Sequence, residues 1–394
     1  MRIRKNINCL STDELHDLRE AFAGLYLRPA SHADSYLTIA GLHGEPVPYY
    51  CIHSANGFLS WHRAYLLEME NALRTIRCNV TLPYWNWSSG PTTGIPAACA
   101  TPTYEDRNGS TVPNPLYSGP KTASLGGGQT SRRGDISTTS FADIATTAQN
   151  AMAALNYPDF ISLLNSAHGS VHVRVSGDMS SVGSAGFDPI FWLHHANVDR
   201  LWAQWQLLRG LSMTAGEAAT DLVPFTRPFT NVWHKGVDFD NTADWDYKYQ
   251  NFCIKWPSIV WPHERFFKVP IEDWLPQSRH IHLVISADQM PFNSAELRVF
   301  LNQPEADINT KTVREQGFVG TIGMFGMGQF AAAHNTMGHK KQPFRLALDL
   351  TDALKKSIRK NDKEASIHIV PVYAGGHDGH ALAHEHFKIE LEVE

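Results

Sequence analysis

Two adjacent histidines inside an apolar run constrain this chain more than any other feature. The run is Phe191-Trp192-Leu193-His194-His195, and it continues into a helical stripe of Leu201, Trp202 and Trp205. Burying an imidazole without a partner is costly, so a pair in this setting requires a reason. One reason is a core histidine hydrogen-bonded to a carbonyl. The other is a ring that completes a three-imidazole metal site while its neighbour points the other way and packs. Upstream, His168 and His172 are four residues apart, which on a helix puts both rings on one face, one turn above the other, as a pair of metal ligands requires. That spacing alone is common on helix surfaces. The apolar His-His pair that follows is what gives it weight.

Three imidazoles without a thiolate suit copper, zinc or iron, and geometry and metal availability decide among them. A second set lies in GLHGEPVPYYCIHSANGFLSWHRAYLLEMENAL, which carries His43, His53 and His62. His62 is expected to open an amphipathic helix with Tyr65, Leu66, Met69 and Leu73 at helical spacing. Two such sets, each partly anchored on a helix, imply two metals facing each other inside a helical bundle.

CIHSANGFLSWHRAYL and FDPIFWLHHANVDRLWAQWQ resemble the first and second copper motifs of the type 3 copper family, the tyrosinases, catechol oxidases and molluscan-type haemocyanin units. The second motif is highly specific. The resemblance assigns His43, His53 and His62 to one copper and His168, His172 and His195 to the other, with His194 a structural neighbour. It implies a mainly α fold, a helical bundle holding the dinuclear copper site over residues 1–275. A C-terminal antiparallel β-sandwich, residues 276–394, would follow and cover the copper pocket. RKNINCLSTDELHDLREAF and GTIGMFGMGQF…PFRLALDLTDALKKS resemble the opening helix and the sandwich of haemocyanin units. In those relatives a side chain of the sandwich plugs the pocket, a part open here to Phe325, Met324 or Met327, although apolar residues in a Gly-rich loop also simply pack.

The resemblance also bears on chemistry. It implies two copper ions that can each give one electron to dioxygen, and a phenolic small-molecule substrate. The expected activity is oxidation of o-diphenols to o-quinones, with ortho-hydroxylation of monophenols as a further step. The alternatives are a reversible oxygen carrier and a latent oxidase blocked by its own C-terminal part. Cys51 and His53 have the spacing at which relatives join sulfur to imidazole in a thioether; a small buried thiol is the other reading. Val182 resembles the residue that gates the pocket, and its small size would admit a substrate ring. Tyrosinases often place Asn directly after the first ligand of the second site and Glu shortly before it. Here Gly169 follows His168, Asn165 stands where an acid is expected and Asp159 lies further back, which puts monophenol hydroxylation in doubt. Asp199, one helical turn after His195, is a candidate to orient the ligand rings, paired with Arg63.

Composition removes other classes. The 394 residues (44.0 kDa) carry a formal charge of −5 and a pI near 6.5, which gives no basic footprint for nucleic acid. No apolar run is long enough for a transmembrane helix. Five cysteines, an odd number at irregular spacing, do not form a disulfide framework. The first fifteen residues have basic side chains but no apolar region behind them, so a cytoplasmic location is expected, and the sequons at Asn79, Asn86 and Asn108 then mean little. No internal repeat is visible, and a single unit suits an enzyme better than a cooperative carrier.

Ser11-Thr12-Asp13-Glu14 forms a capping box before a helix with Leu15, Leu18, Phe22 and Leu25. A short helix over His32 to Ala40 is expected to end at Gly41 with His43 just beyond it. Leu82 to Trp87 reads as aromatic core, and Ser88 to Thr139 as surface loops. Helices are expected over Ser140–Leu155 and Pro158–Val173, then a wrapping segment over Pro257–Trp274. Strands follow at His280–Ser286, Leu297–Leu301, Phe344–Leu350, Ile367–Val372 and His386–Val393, interrupted by a helix at Asp352–Arg359. His377, His380, His384 and His386 mix helix and strand periods and read as a solvated edge.

Overall fold

A computed structural model describes residues 1–44, 50–53, 56–88, 92–249, 266–270, 281–287, 294–313, 317–324, 344–358, 364–373, 377–378 and 388–393. Its helices are α1 (Thr12–Tyr26), α2 (Tyr36–Gly44), α3 (Phe58–Arg74), α4 (Ala97–Ala100), α5 (Ala142–Ala153), α6 (Tyr157–Val175), α7 (Val182–Ala185), α8 (Pro189–Arg209), α9 (Ala215–Ala219) and α10 (Thr351–Ile358). The capping box forms as read: Ser11 Oγ accepts the Glu14 amide at 3.2 Å, and Glu14 Oε2 accepts the Ser11 amide at 2.8 Å.

Local signals start and stop the two longest helices. Asn156 caps α6, its side chain accepting the Asp159 amide, with Pro158 in the first turn. Asp188 caps α8, with Pro189 at its first position, and Gly210 closes it in the left-handed region at φ 62°. Arg132 holds Asp188 in turn, at 2.6 Å. The start of α3 differs, because its cap is Gly57 at φ 98°, which has no side chain to offer.

Two helix boundaries correct the sequence reading. His43 lies inside α2, which runs on to Gly44. Gly41 does not stop it, and Gly44 lets it close onto the next layer: a Cβ there would sit 2.2 Å from the Val182 carbonyl oxygen. His62 stands in the second turn of α3 and does not open it.

The strands are β1 (Arg2–Arg4), β2 (Thr103–Glu105), β3 (Thr111–Pro113), β4 (Asp221–Thr226), β5 (Trp233–Lys235), β6 (Tyr247–Tyr249), β7 (Phe266–Pro270), β8 (Ile281–Ala287), β9 (Ala295–Leu301), β10 (Phe318–Met324), β11 (Phe344–Asp349), β12 (Glu364–Tyr373), β13 (His377–Asp378) and β14 (Lys388–Val393). One antiparallel sheet runs β10-β9-β12-β13, with β7 also on β12, and a second runs β11-β8-β14. Alternate residues from both, among them Leu283, Ile285, Leu297, Val299, Leu346, Leu348, Ile367 and Ile369, share one apolar core, as a sandwich requires. The proposed boundary near residue 275, most of the wrapping segment, and Phe325 and Met327 lie outside the described residues.

The sheets meet the helices on α6. Ser166 Oγ donates to the Thr321 carbonyl at 3.3 Å, and Arg345 donates to Ser162 Oγ at 2.7 Å. Arg174 joins Asp143 of α5 (2.7 Å) to Glu296 of β9 (2.9 Å). Backbones touch where β10 crosses α6, since a Cβ on Gly323 would lie 2.0 Å from the Ser170 nitrogen and 2.5 Å from the Gly169 carbonyl carbon.

Candidate metal centre

Elements distant in sequence bring the histidines together. α2 delivers His43, the stretch before α3 delivers His53, and α3 delivers His62; their potential ligand atoms all lie within 4.8 Å of one another. α6 delivers His168 and His172 and α8 delivers His194 and His195, a second group within the same limit. Both groups are buried, and each consists of imidazoles alone. They face each other: the rings of His62 and His195 stack at 4.3 Å with 8° between their planes, and His53 lies over His168 at 6.3 Å.

Hydrogen bonds orient four of the rings. The Nδ1–H groups of His43, His62 and His172 donate to the carbonyls of Val182 (2.9 Å), Phe58 (2.8 Å) and Met179 (2.7 Å). His168 Nδ1–H donates to Asn165 Oδ1 at 3.1 Å. Each bond fixes the tautomer and leaves Nε2 as the lone-pair atom, the arrangement metal-binding histidines use. His172 Nε2 and His195 Nε2 approach to 3.3 Å, and His62 Nε2 has no hydrogen-bond partner among the described residues. Burial keeps the rings neutral, lowering His43 to about 4 and His172 to about 3, with His62, His168, His194 and His195 also held well below the ordinary value. Converging, neutral, buried nitrogen donors fit copper, with no acid or thiol in either set.

His194 does not point away from the second set. Adjacent helical residues are rotated by about 100°, not opposed, so its ring falls beside the others, parallel to His168 at 5.2 Å and 4.8 Å from His172. Asp199 pairs with Arg63 at 2.5 Å, as read, but its remaining bonds run to Arg4 and to the hydroxyls of Tyr247 and Tyr249 at 2.7 and 2.6 Å. His195 Nδ1 has no hydrogen-bond partner among the described residues. Asp199 thus ties α8 to α3 one residue past His62 and is not bonded to a ligand ring.

Asn165 joins the two sets, accepting from His168 and donating Nδ2–H to the His53 carbonyl at 3.3 Å. Gly169 lies under β10. The Asp159 carboxylate faces Asn156 Nδ2 at 2.7 Å and Arg345 at 3.8 Å. Val182 is buried and reaches the site through its carbonyl. Met324 ends β10, buried. Cys51 is a buried free thiol, pushed up by burial. Of the C-terminal histidines, His380, His384 and His386 lie outside the described residues.

Sequence reasoning missed the carbonyl acceptors at Phe58, Met179 and Val182, which no side-chain pattern marks. It also missed Arg4 and Glu70, joined at 2.8 Å beneath Asp199 and fully buried. Arg4 stands among ordinary basic residues at the N-terminus and Glu70 on an amphipathic helix, so neither gave a signal.

The common central domain of tyrosinase matches residues 33–208, which carry all seven of these histidines. "Hemocyanin 2" of Megathura crenulata is 30% identical over 302 residues, 71% of this chain but only 8% of that protein. The "Tyrosinase" of Streptomyces glaucescens is 32% identical over 236 residues, 52% of this chain and 83% of that one. A functional unit from octopus hemocyanin has the same fold, with a TM-score of 0.72 over 100% of this chain and 99% of that one at 19% identity. This chain belongs to the type 3 copper family of tyrosinases and haemocyanins.

Proposed function

We propose that this chain holds one copper on His43, His53 and His62 and another on His168, His172 and His195, and oxidises o-diphenols to o-quinones with dioxygen. The observation that supports this most is the placement of two buried, all-imidazole sets face to face. When bound, the coppers supply paired one-electron chemistry: two o-diphenols become two o-quinones while four electrons and four protons reduce one dioxygen to two waters.

The chain's own residues orient and shield. Carbonyls of Phe58, Val182 and Met179 and the amide of Asn165 fix four rings, while Phe58 and Phe191 pack against both sets and exclude water. His53 and Asn165, 7% and 8% exposed, mark the edge nearest solvent, and a phenol ring would enter there. Asn165 is neutral, Gly169 lies under β10 and Asp159 faces Arg345, so none is placed to take a phenol proton. This favours catechols, whose oxidation demands less of a base. The proposal includes a Cys51–His53 thioether, formed with loss of two hydrogens to dioxygen; a peptide two hydrogens lighter supports it and an alkylatable Cys51 removes it.

A reversible oxygen carrier is the second reading, favoured by the haemocyanin relatives and by the sheet lying on α6; a latent oxidase would share that arrangement. The test is the copper-loaded chain supplied with catechol in air. The oxidase reading expects o-quinone absorbance with matching oxygen uptake, and slower turnover of a monophenol by about tenfold or more. Reversible oxygen binding without quinone would favour the carrier.

A further inference from the structure

The residues around His62 in α3, Ser60, Trp61 and Arg63, bond to a segment that follows α8, beyond the matched residues 33–208. Ser60 donates its hydroxyl to Glu217 Oε1 at 2.7 Å and its amide to the same oxygen at 3.2 Å. The other oxygen of Glu217 accepts the amide of Gly57. Trp61 Nε1–H donates to the Val223 carbonyl at 2.8 Å, and Arg63 donates to the carbonyls of Phe239 and Asp240 at 2.8 and 3.0 Å.

The reason α3 needs this carboxylate is its missing cap. α6 and α8 begin on Asn156 and Asp188, whose side chains accept early amides, whereas α3 begins on Gly57 without one. Glu217, fully buried, supplies from a distance what a capping side chain would supply locally, and its charge suits the positive end of the helix. Burial holds the carboxyl above its ordinary value, and the Ser60 and Gly57 donors offset only part of that rise. The segment is seated closely: Gly236 packs on it where a Cβ would come 1.9 Å from the Glu217 carbonyl oxygen. In the turn that Glu217 fixes, the Phe58 carbonyl accepts His62 Nδ1–H at 2.8 Å. The carboxylate sets the turn, the turn sets the carbonyl, and the carbonyl sets the ring.

We propose that Glu217 is a positioning residue for the first metal set: a remote cap for α3 that aims His62 and so governs one copper position and not the other. This rests on the copper reading above. The test titrates copper(I) alone into metal-free protein, without oxygen, against a chromogenic chelator. The His172→Ala background also carries His194→Ala, because His194 lies beside that set, and leaves only the first set complete; His43→Ala leaves only the second. Glu217→Gln keeps the side-chain size and one acceptor oxygen but removes the charge. We expect it to weaken copper(I) binding about tenfold or more in the His172→Ala background and to leave it within about twofold in the His43→Ala background. Equal losses in both backgrounds, or none in either, would overturn the role. Ser60→Ala, which removes one donor to the same carboxylate, carries the same comparison if Glu217→Gln does not fold, with a smaller loss expected in the same background alone. A parent chain that binds fewer than two coppers contradicts the copper reading itself, which is a separate result.

Discussion

At His43 and His172 burial outweighs the carbonyl bonds that favour a proton, so these rings ionise at about 4 and about 3 in place of the ordinary value near 6.5. The sign of the consequence follows from proton counting. Between pH 6.5 and about 4 an unfolded His43 carries a proton that the folded one does not, so stability rises with pH across that window and is lost as pH falls through it. The other buried rings are shifted the same way. The metal-free protein is therefore expected to melt at a lower temperature at pH 5 than at pH 7. A higher melting temperature at pH 5 would contradict the neutral-imidazole account.

The helices α3 and α8 carry histidines of opposite sets, and a buried charge cluster keeps them in register. Asp199 reaches Arg63, Arg4, Tyr247 and Tyr249, and Glu70 completes the pairing of Arg4. Asp199→Asn leaves two buried guanidiniums short of charge, and the expected cost is about 3–5 kcal/mol in urea unfolding; a change near zero would mean that the cluster does not tie the helices. Such couplings mark the limit of what the sequence shows. α6 and α8 were legible because Asn156, Pro158, Asp188, Pro189 and Gly210 are local signals. The end of α2 differs because Gly41 sits inside the helix as an ordinary residue, and the helix runs on to Gly44, where the close approach to Val182 requires a glycine. The contact of Glu217 with Ser60 spans 157 positions, and no periodicity encodes it. β10 is not among the expected strands because its two glycines hide the alternation; Gly323 packs on α6 and Gly320 against Leu348 of β11.

Across the whole molecule, the sheets are built onto the helix that carries His168 and His172. The meeting point is Gly323, where any side chain would strike the backbone of Gly169 and Ser170. Gly323→Ala is expected to destabilise the protein by about 1–3 kcal/mol, because backbone cannot move aside as a side-chain tip can; thermal unfolding measures it, and an unchanged midpoint would show that β10 does not bear on α6. What the fold as a whole achieves is to collect seven imidazoles from five separate stretches into two facing sets. The copper content of the purified chain, by elemental analysis after loading with excess copper and removal of loosely bound metal, tests this most directly. The expected result is two copper ions per chain, falling to one in His43→Ala; one copper or none in the parent chain would contradict the account.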